Sequence, residues 1–277
     1  MAQFTNQAQL TYGNVVTSSN VAVGEVVATL TATKTAVRQT YSQGSTVTYI
    51  INLVNSGNAP ITDITVDDNL GEYAFGIGTL VPLSYIDNTL LYFVNGVLQP
   101  APSVASTDGL VVSGINVPAN GNALLVYETT VNSFAPINED GSITNTVTVT
   151  GECANVTASE TVTAVTEPVL SINKSISPIP VSCGDTVTYT FLIQNTGATP
   201  LMATDNAVIT DTFNPILSNV TATFNGQPIT FSYDESSGEF ATTAPITVEG
   251  ATFTQDLTTG VWSVNPASST LIVTGTI

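Results

Sequence analysis

The sequence has no histidine and very few basic residues. Only 3 Lys+Arg face 21 Asp+Glu in 277 residues, so the formal net charge is 3 − 21 = −18 at pH 7. A chain with this charge repels phosphate backbones and anionic lipid, and we expect no nucleic-acid partner. The missing histidine disfavours Ser-His and Cys-His hydrolases, zinc peptidases and haem proteins. We therefore expect no enzyme, no cofactor and no metal.

Long apolar runs and cysteines are also scarce. No stretch approaches the roughly 18 apolar residues that cross a bilayer, so we expect no membrane insertion. The first residues lack the charged and apolar regions of a secretion signal. Two cysteines, Cys153 and Cys183, permit at most one internal disulfide, with two free thiols as the alternative. If a disulfide forms, we expect it to lock the junction between two domains rather than to link subunits.

Short runs of β-forming residues, separated by turn residues, fill the chain. Residues 46–54 (TVTYIINLV) are followed by the turn-like residues 55–58 (NSGN). Asn95-Gly96 and Asn225-Gly226, each flanked by β-formers, predict tight hairpins. No segment has a sustained helical period. The pattern predicts an all-β chain of tandem Ig-like sandwich domains.

An internal repeat indicates two homologous domains. Residues 45–49 (STVTY) recur as residues 185–189 (DTVTY), and Lys34 corresponds to Lys174, an offset of 174 − 34 = 140. Residues 66–70 (VDDNL) likewise correspond to residues 209–213 (ITDTF). We predict a complete sandwich domain over residues 23–165 and a second domain over residues 166–277.

A third match lies outside this order. Residues 4–11 (FTNQAQLT) correspond to residues 143–150 (ITNTVTVT), with an offset of 145 − 6 = 139, and residues 16–19 correspond to residues 156–159. In the first domain, residues 143–150 are the closing strand. The second domain has a penultimate strand at residues 270–273 but no closing strand before Ile277. We expect residues 1–22 to be a donor strand and its connector, and the second domain to be an incomplete acceptor.

These motifs resemble the bacterial surface repeat called domain of unknown function family eleven. Repeats of that family have a lysine strand, a Val-Thr-Asp-Thr-Leu-like strand and a Thr-Asn-Thr-Ala-Thr-Val-like final strand. Residues 209–213 and residues 144–149 (TNTVTV) carry the resemblance, which covers nearly the whole chain. It implies Ig-like repeats with an extracellular location, at a bacterial cell or spore surface.

Strand parity puts one polar group on an apolar face in each motif, because residues two apart share a face. The first domain contributes Lys34, Asp68 and Asn145, and the second contributes Lys174 and Asp211. Lys34 and Lys174 are the only lysines in the chain. Burying an isolated charge is costly, so these groups must meet one another or react.

Lysine, aspartate and asparagine in one cluster are similar to the triads that form spontaneous isopeptide bonds in Gram-positive pilin and adhesin domains. Desolvation favours a neutral amine nucleophile and a protonated acid that polarises the carboxamide. We expect Lys34 to join Asn145 with Asp68 as the acid. Between subunits, we expect Lys174 to join Asn6 with Asp211 as the acid. The alternative is a buried Lys-Asp salt bridge that is hydrogen-bonded to the asparagine.

The chain begins with a segment that resembles a closing strand, whereas its second domain has none. This combination predicts a structural subunit that polymerises head to tail with copies of itself. Phe4, Ala8, Leu10 and Tyr12 would enter the core of the second domain of the next subunit. The predicted product is an extracellular fibre, such as a pilus-like filament or spore appendage, with an unidentified anchoring partner. The donor segment could instead fold back onto its own second domain. A monomeric adhesin or binding module of tandem Ig-like repeats is the alternative function.

Overall fold

The computed structural model describes residues 2–26, 28–107, 109–151 and 154–277. Strands account for 58% of the chain, and the helical content of the described ranges is one 3-10 turn, Ala203–Asp205. The predicted all-β, Ig-like sandwich class is thus confirmed. Within these ranges, no helix has the length and apolar character that a membrane crossing needs.

Two compact units divide the chain. Unit 1 comprises residues 1–39, 45–132 and 144–162, and unit 2 comprises residues 40–44, 133–143 and 163–277. The strands, numbered in chain order, begin with an N-terminal group: β1 Ala2–Asn6, β2 Gln9–Tyr12, β3 Val15–Ser18 and β4 Ala22–Val26. The middle group is β5 Leu30–Ala36, β6 Thr40–Tyr41, β7 Thr46–Asn55, β8 Ile61–Asp68, β9 Tyr73–Phe75, β10 Gly78–Leu80, β11 Leu83–Tyr85, β12 Leu91–Val94, β13 Val97–Leu98, β14 Ser103–Ala105, β15 Leu110–Val117, β16 Gly121–Val131, β17 Ser142–Gly151 and β18 Ala154–Ala164. The last group is β19 Leu170–Ser177, β20 Thr186–Asn195, β21 Thr210–Thr212, β22 Ser218–Phe224, β23 Gln227–Pro228, β24 Phe231–Tyr233, β25 Glu239–Thr242, β26 Thr252–Gln255, β27 Trp262–Asn265 and β28 Ala267–Thr276.

The first four strands form a long, exposed hairpin, which we call the arm (residues 2–26). β1 pairs with β4, and β2 pairs with β3 around a turn at Gly13, whose φ of 56° suits glycine. Residues 13–22 are predicted from the sequence to be a connector. In the structure they contain β3 and the start of β4 instead, because the alternating residues of these two strands pair with β2 and β1.

Unit 1 contains two sheets whose alternate residues form a shared core. One sheet has the order β13-β12-β16-β7-β5, and the other runs β14-β15-β8-β17-β18. Side chains of β7 and β16 alternate between buried and partly exposed, as expected for strands with one face on a core. The predicted Asn95-Gly96 hairpin joins β12 to β13, and both turn residues have positive φ, which confirms that prediction.

Unit 2 repeats the first sheet of unit 1 as β19-β20-β28-β22-β23, and the Asn225-Gly226 turn joins its last two strands as predicted. Its second sheet is smaller, with the order β21-β25-β24. A cluster of buried aromatic and aliphatic side chains, including Tyr189, Phe191, Phe213 and Phe240, forms the core of this unit.

Candidate functional site

The strands of unit 1 bring the three predicted polar groups into its core. Lys34 is supplied by β5, Asp68 by the last residue of β8, and Asn145 by β17. All three are buried, with 4%, 1% and 0% exposure. Each lies at the parity predicted from the sequence, since its apolar neighbours two residues away also face inward.

Hydrogen bonds through one carboxylate connect the three groups. The Lys34 ammonium and the Tyr127 hydroxyl both donate to Oδ2 of Asp68. The Asn145 amide nitrogen lies 3.5 Å from the same Tyr127 hydroxyl. The lysine Nζ also lies 5.0 Å from the centroid of the Tyr49 ring. The result is one continuous polar network inside an aromatic enclosure.

A tight turn after β8 holds the acid and the amide from the other side. The Leu70 N–H donates to Oδ1 of Asp68 at 3.0 Å, and the Gly71 N–H donates to Oδ1 of Asn145 at 3.2 Å. Leu70 has a φ of 50°, a left-handed conformation that is strained for a bulky residue. Two successive backbone donors are thereby directed at the carboxylate and the carboxamide carbonyl.

Burial controls the charge state of the lysine. Desolvation lowers the pKa of Lys34 from 10.5 to about 8, against the opposing charge and hydrogen bond of Asp68. Burial, followed by the charge of Asp68, raises the pKa of the Tyr127 phenol well above its usual value, so its hydroxyl keeps its proton. The lowered pKa makes the neutral, nucleophilic form of this amine more accessible than that of an ordinary lysine, and it lies in the same network as Asn145, whose carbonyl accepts from the Gly71 N–H.

Unit 2 has the same lysine and aspartate in a more open setting. Lys174 on β19 donates to Oδ2 of Asp211 on β21, and the Thr212 N–H donates to Oδ1 at 2.9 Å. The Lys174 ammonium lies 4.7 Å from the centroid of the Tyr189 ring, much as Lys34 approaches Tyr49. However, the Lys174 side chain is 39% exposed, whereas that of Lys34 is fully buried.

The open setting follows from the pairing of the strand that carries the aspartate. In unit 1, β8 lies between β15 and β17, and β17 carries Asn145. In the described part of unit 2, β21 pairs with β25 alone, so its other edge is free. The face of β19 that corresponds to the buried face of β5 is exposed as well: Leu170 is 44% exposed, against 3% for Leu30. We call this free edge and exposed face the open groove.

The residues predicted for the subunit joint lie on the arm. Asn6 is the last residue of β1 and is exposed. Phe4, Ala8, Leu10 and Tyr12 are exposed along the same arm. Of the two cysteines predicted to form a disulfide, Cys153 lies outside the described residues and Cys183 is exposed.

Tyr127 and the turn at Leu70 and Gly71 were not identified from the sequence. A tyrosine at an inward position of a strand looks like any core aromatic, and a backbone donor leaves no residue-type signal. Among the described residues, no group of three or more acidic or cysteine side chains is arranged to hold a metal ion.

Comparison with known proteins gives distant structural likeness only. No family model matches the chain, and no curated protein matches it, so the resemblance to domain of unknown function family eleven stays a prediction. Solved structures that are similar include the collagen-binding domain of a Staphylococcus aureus adhesin (13% identity, 50% of this chain, 99% of that chain, TM-score 0.32). Others are the Streptococcus pneumoniae pilus backbone RrgB (14%, 86% and 55%, 0.37) and the Corynebacterium diphtheriae major pilin SpaD (12%, 61% and 48%, 0.36). Similarity at this level carries no argument about function.

Proposed function

We propose that this chain is a structural subunit of an extracellular bacterial filament that polymerises head to tail by donor-strand complementation. The arm of one subunit fills the open groove of unit 2 in the next. The observation that carries this proposal is the free edge of β21 beside the exposed face of β19, at the position that β17 covers in unit 1.

The arm has the residues that the groove needs. Residues 4–11 match residues 143–150 of the closing strand, and Asn6 stands where Asn145 stands in unit 1. Phe4, Leu10 and Tyr12 are each about 60% exposed in the free chain. Burying a side chain of this size stabilises by about 1.5–3 kcal/mol, so insertion of the arm is favourable.

The geometry of this joint leads to a filament. The donor surface, on the arm, differs from the acceptor surface, on unit 2, so the contact is heterologous. Two joined subunits therefore keep one free donor at one end and one free acceptor at the other. Such contacts propagate into linear or helical polymers. The low content of basic residues and the net charge of −18 fit a surface polymer that does not bind nucleic acid.

Isopeptide bonds would seal the polymer. Within unit 1, the neutral Nζ of Lys34 attacks Cγ of Asn145. The Nζ–Cγ bond forms and the bond from Cγ to the amide nitrogen breaks, while Asp68 takes one proton from Nζ and passes it to the amide nitrogen, which leaves as ammonia. The hydrogen bonds that join Lys34 directly, and Asn145 through Tyr127, to the carboxylate of Asp68 support this step. At the joint, the same reaction links Lys174 to Asn6 of the neighbour with Asp211 as the acid, once the inserted arm buries the pair.

The polymer is tested by deleting the whole arm, residues 2–26, from the full chain. The wild-type protein should form filaments in light scattering and electron microscopy, whereas the deletion variant should remain monomeric. Adding a synthetic peptide of residues 2–26, which we call the arm peptide, to that variant should yield a one-to-one complex. Filaments that persist after the deletion would refute strand donation, and a wild-type protein that stays monomeric would favour the adhesin alternative.

The covalent seal is tested separately with the same peptide. The complex should survive boiling in detergent, with a mass lower than the sum of its parts by one ammonia. A peptide carrying Asn6→Ala, and a protein carrying Lys174→Met, serve as matched controls that should bind but dissociate on boiling. If the wild-type complex also dissociates on boiling, the joint is held by strand pairing alone.

A further inference from the structure

We propose that the segment donated to the neighbouring subunit is the whole arm, β1 to β4, docked as a closed hairpin rather than as a single strand. This inference rests on the proposed function and identifies its donor. It follows from how unit 1 closes its own groove and from the pairing within the arm.

Unit 1 is closed by two strands, not one. β17 lies between β8 and β18 in its sheet, so the closing strand has a neighbour on each side. Both strands contribute to the core, since Val147 of β17 and Val162 of β18 are fully buried. On the outer face, the hydroxyls of Thr144 and Thr161 lie 2.9 Å apart. In unit 1, the β17-β18 pair therefore occupies the position that corresponds to the open groove of unit 2.

The arm matches both members of that pair in sequence. Residues 4–11, in β1 and β2, match residues 143–150 of β17, and residues 16–19, beginning in β3, match residues 156–159 of β18. The change of strand falls after Tyr12 in the arm and after Gly151 in unit 1. Donation of a single strand would explain the match to β17 but not the match to β18.

The arm also has the two faces that docking as a hairpin needs. In the β1-β4 pair, Phe4 lies opposite Gly24 and Asn6 lies opposite Ala22, so Asn6 shares a face with small and apolar residues. A side chain at position 24 would begin 2.3 Å from the Phe4 ring, which shows that the ring lies across this glycine. On the other face, Gln3 donates to Glu25 at 3.3 Å. The apolar face with Asn6 suits the groove, and the polar face suits solvent.

Hydrogen bonding favours the closed form. Two hydrogen bonds hold the arm together at the bend between its two strand pairs. The Ser19 N–H donates to the Ala8 carbonyl at 2.8 Å, and the Ala8 N–H donates to the Ser19 hydroxyl at 2.9 Å. Docking the closed hairpin keeps these bonds and adds the edge of β21. Insertion of β1 and β2 alone would break these hydrogen bonds and the pairing with β3 and β4, and it would leave the backbone groups along the separated strand edges unpaired.

A disulfide lock distinguishes the two modes. In the full chain with Cys153→Ser and Cys183→Ser, Thr5→Cys and Val23→Cys place cysteines at directly opposed positions on the polar face. A second variant with Thr11→Cys and Val16→Cys locks the β2-β3 pair in the same way. Filament growth is followed by light scattering for each variant, oxidised and reduced, with Thr5→Cys alone as the matched control.

We expect oxidised and reduced proteins to assemble at rates within twofold of each other. A locked arm that assembles only after reduction, in either variant, would overturn the inference and leave donation of a single strand. Filaments of the cysteine-free protein report on the proposed function independently. Their absence would refute both proposals, whereas their presence beside inactive locked arms would refute only the closed hairpin.

Discussion

Units 1 and 2 carry the same lysine and aspartate, yet the two pairs lie in different environments. In unit 1 the pair is sealed by β17, and Lys34 is fully buried, with a pKa lowered to about 8. In unit 2 no described strand occupies the corresponding edge of β21, and Lys174 is 39% exposed. The environment of the lysine-aspartate pair thus depends on whether a closing strand lies beside it, rather than on the two residues themselves.

Under the proposed function, this difference would give the two isopeptide bonds an order. Unit 1 has Lys34, Asp68 and Asn145 within one chain, so its bond would need no partner. Unit 2 has a lysine and an aspartate but obtains its asparagine, under the proposed function, only with the arm of a neighbour.

The largest expected difference between the units comes from removing the acid. In an Asn145→Ala background, which keeps the amine of Lys34 free, Asp68→Ala leaves a buried ammonium without its counter-ion. We expect the free energy of unfolding of unit 1 to fall by about 3–5 kcal/mol. Asp211→Ala should cost unit 2 no more than about 1 kcal/mol, because Lys174 is partly solvated.

The two effects can be measured in the same molecule. Trp262 is the only tryptophan and lies in unit 2, so its fluorescence follows that unit during denaturant unfolding. Hydrogen exchange read by mass spectrometry follows the strands of unit 1. Equal losses in the two units would show that the difference in burial does not matter.

A matched pair of leucines tests the open groove directly. Leu30 and Leu170 begin equivalent strands and are 3% and 44% exposed. Leu30→Ala should lower the stability of unit 1 by about 2–4 kcal/mol, while Leu170→Ala should change that of the monomer by less than about 1 kcal/mol. Leu170→Ala should nevertheless weaken binding of the arm peptide in calorimetry. A large loss of monomer stability on Leu170→Ala would argue that the groove is already filled.

Much of this comparison was predictable, because repeats and strand parity are properties of the sequence. Lys34, Asp68 and Asn145 alternate with apolar residues on short β-rich runs, so their meeting in one core follows from the two-residue period. The pairing of residues 13–22 was not predicted, since a short polar-rich segment near Gly13 is equally typical of a linker. Tyr127 was missed because only its hydroxyl contact with Asp68, a tertiary feature, distinguishes it from a core residue.

The lowered pKa of Lys34 predicts a pH-dependent stability in the Asn145→Ala variant. The folded amine has a pKa of about 8 and the unfolded amine one of 10.5, so the unfolded chain binds more protons between these values. Stability therefore rises with pH in this window, by roughly 2 kcal/mol between pH 8 and pH 10. Lys34→Met in the same background should remove the rise. Denaturant midpoints across this range provide the measurement, and a flat profile for Asn145→Ala itself would contradict the shift.

The smallest effect concerns the rate of bond formation in unit 1. Tyr127 donates to Asp68 and contacts the Asn145 nitrogen, and cross-strand pairing puts Val273 in the equivalent position of unit 2. Losing one hydrogen bond of this kind costs about 1 kcal/mol, so Tyr127→Phe should slow ammonia loss by roughly tenfold or less. The rate is measured by intact mass at successive times after cell-free synthesis of the full chain.

Tyr92→Phe is the matched control for that rate. Its hydroxyl exchanges two hydrogen bonds with Asn116, at 2.9 and 3.0 Å, away from the reacting groups. The control variant should therefore lose comparable stability without losing speed. Similar slowing in both variants would mean that general destabilisation sets the rate, whereas slowing in Tyr127→Phe alone ties it to the carboxylate network. The second result would also imply that the joint between subunits, with valine at this position, seals more slowly than unit 1 closes.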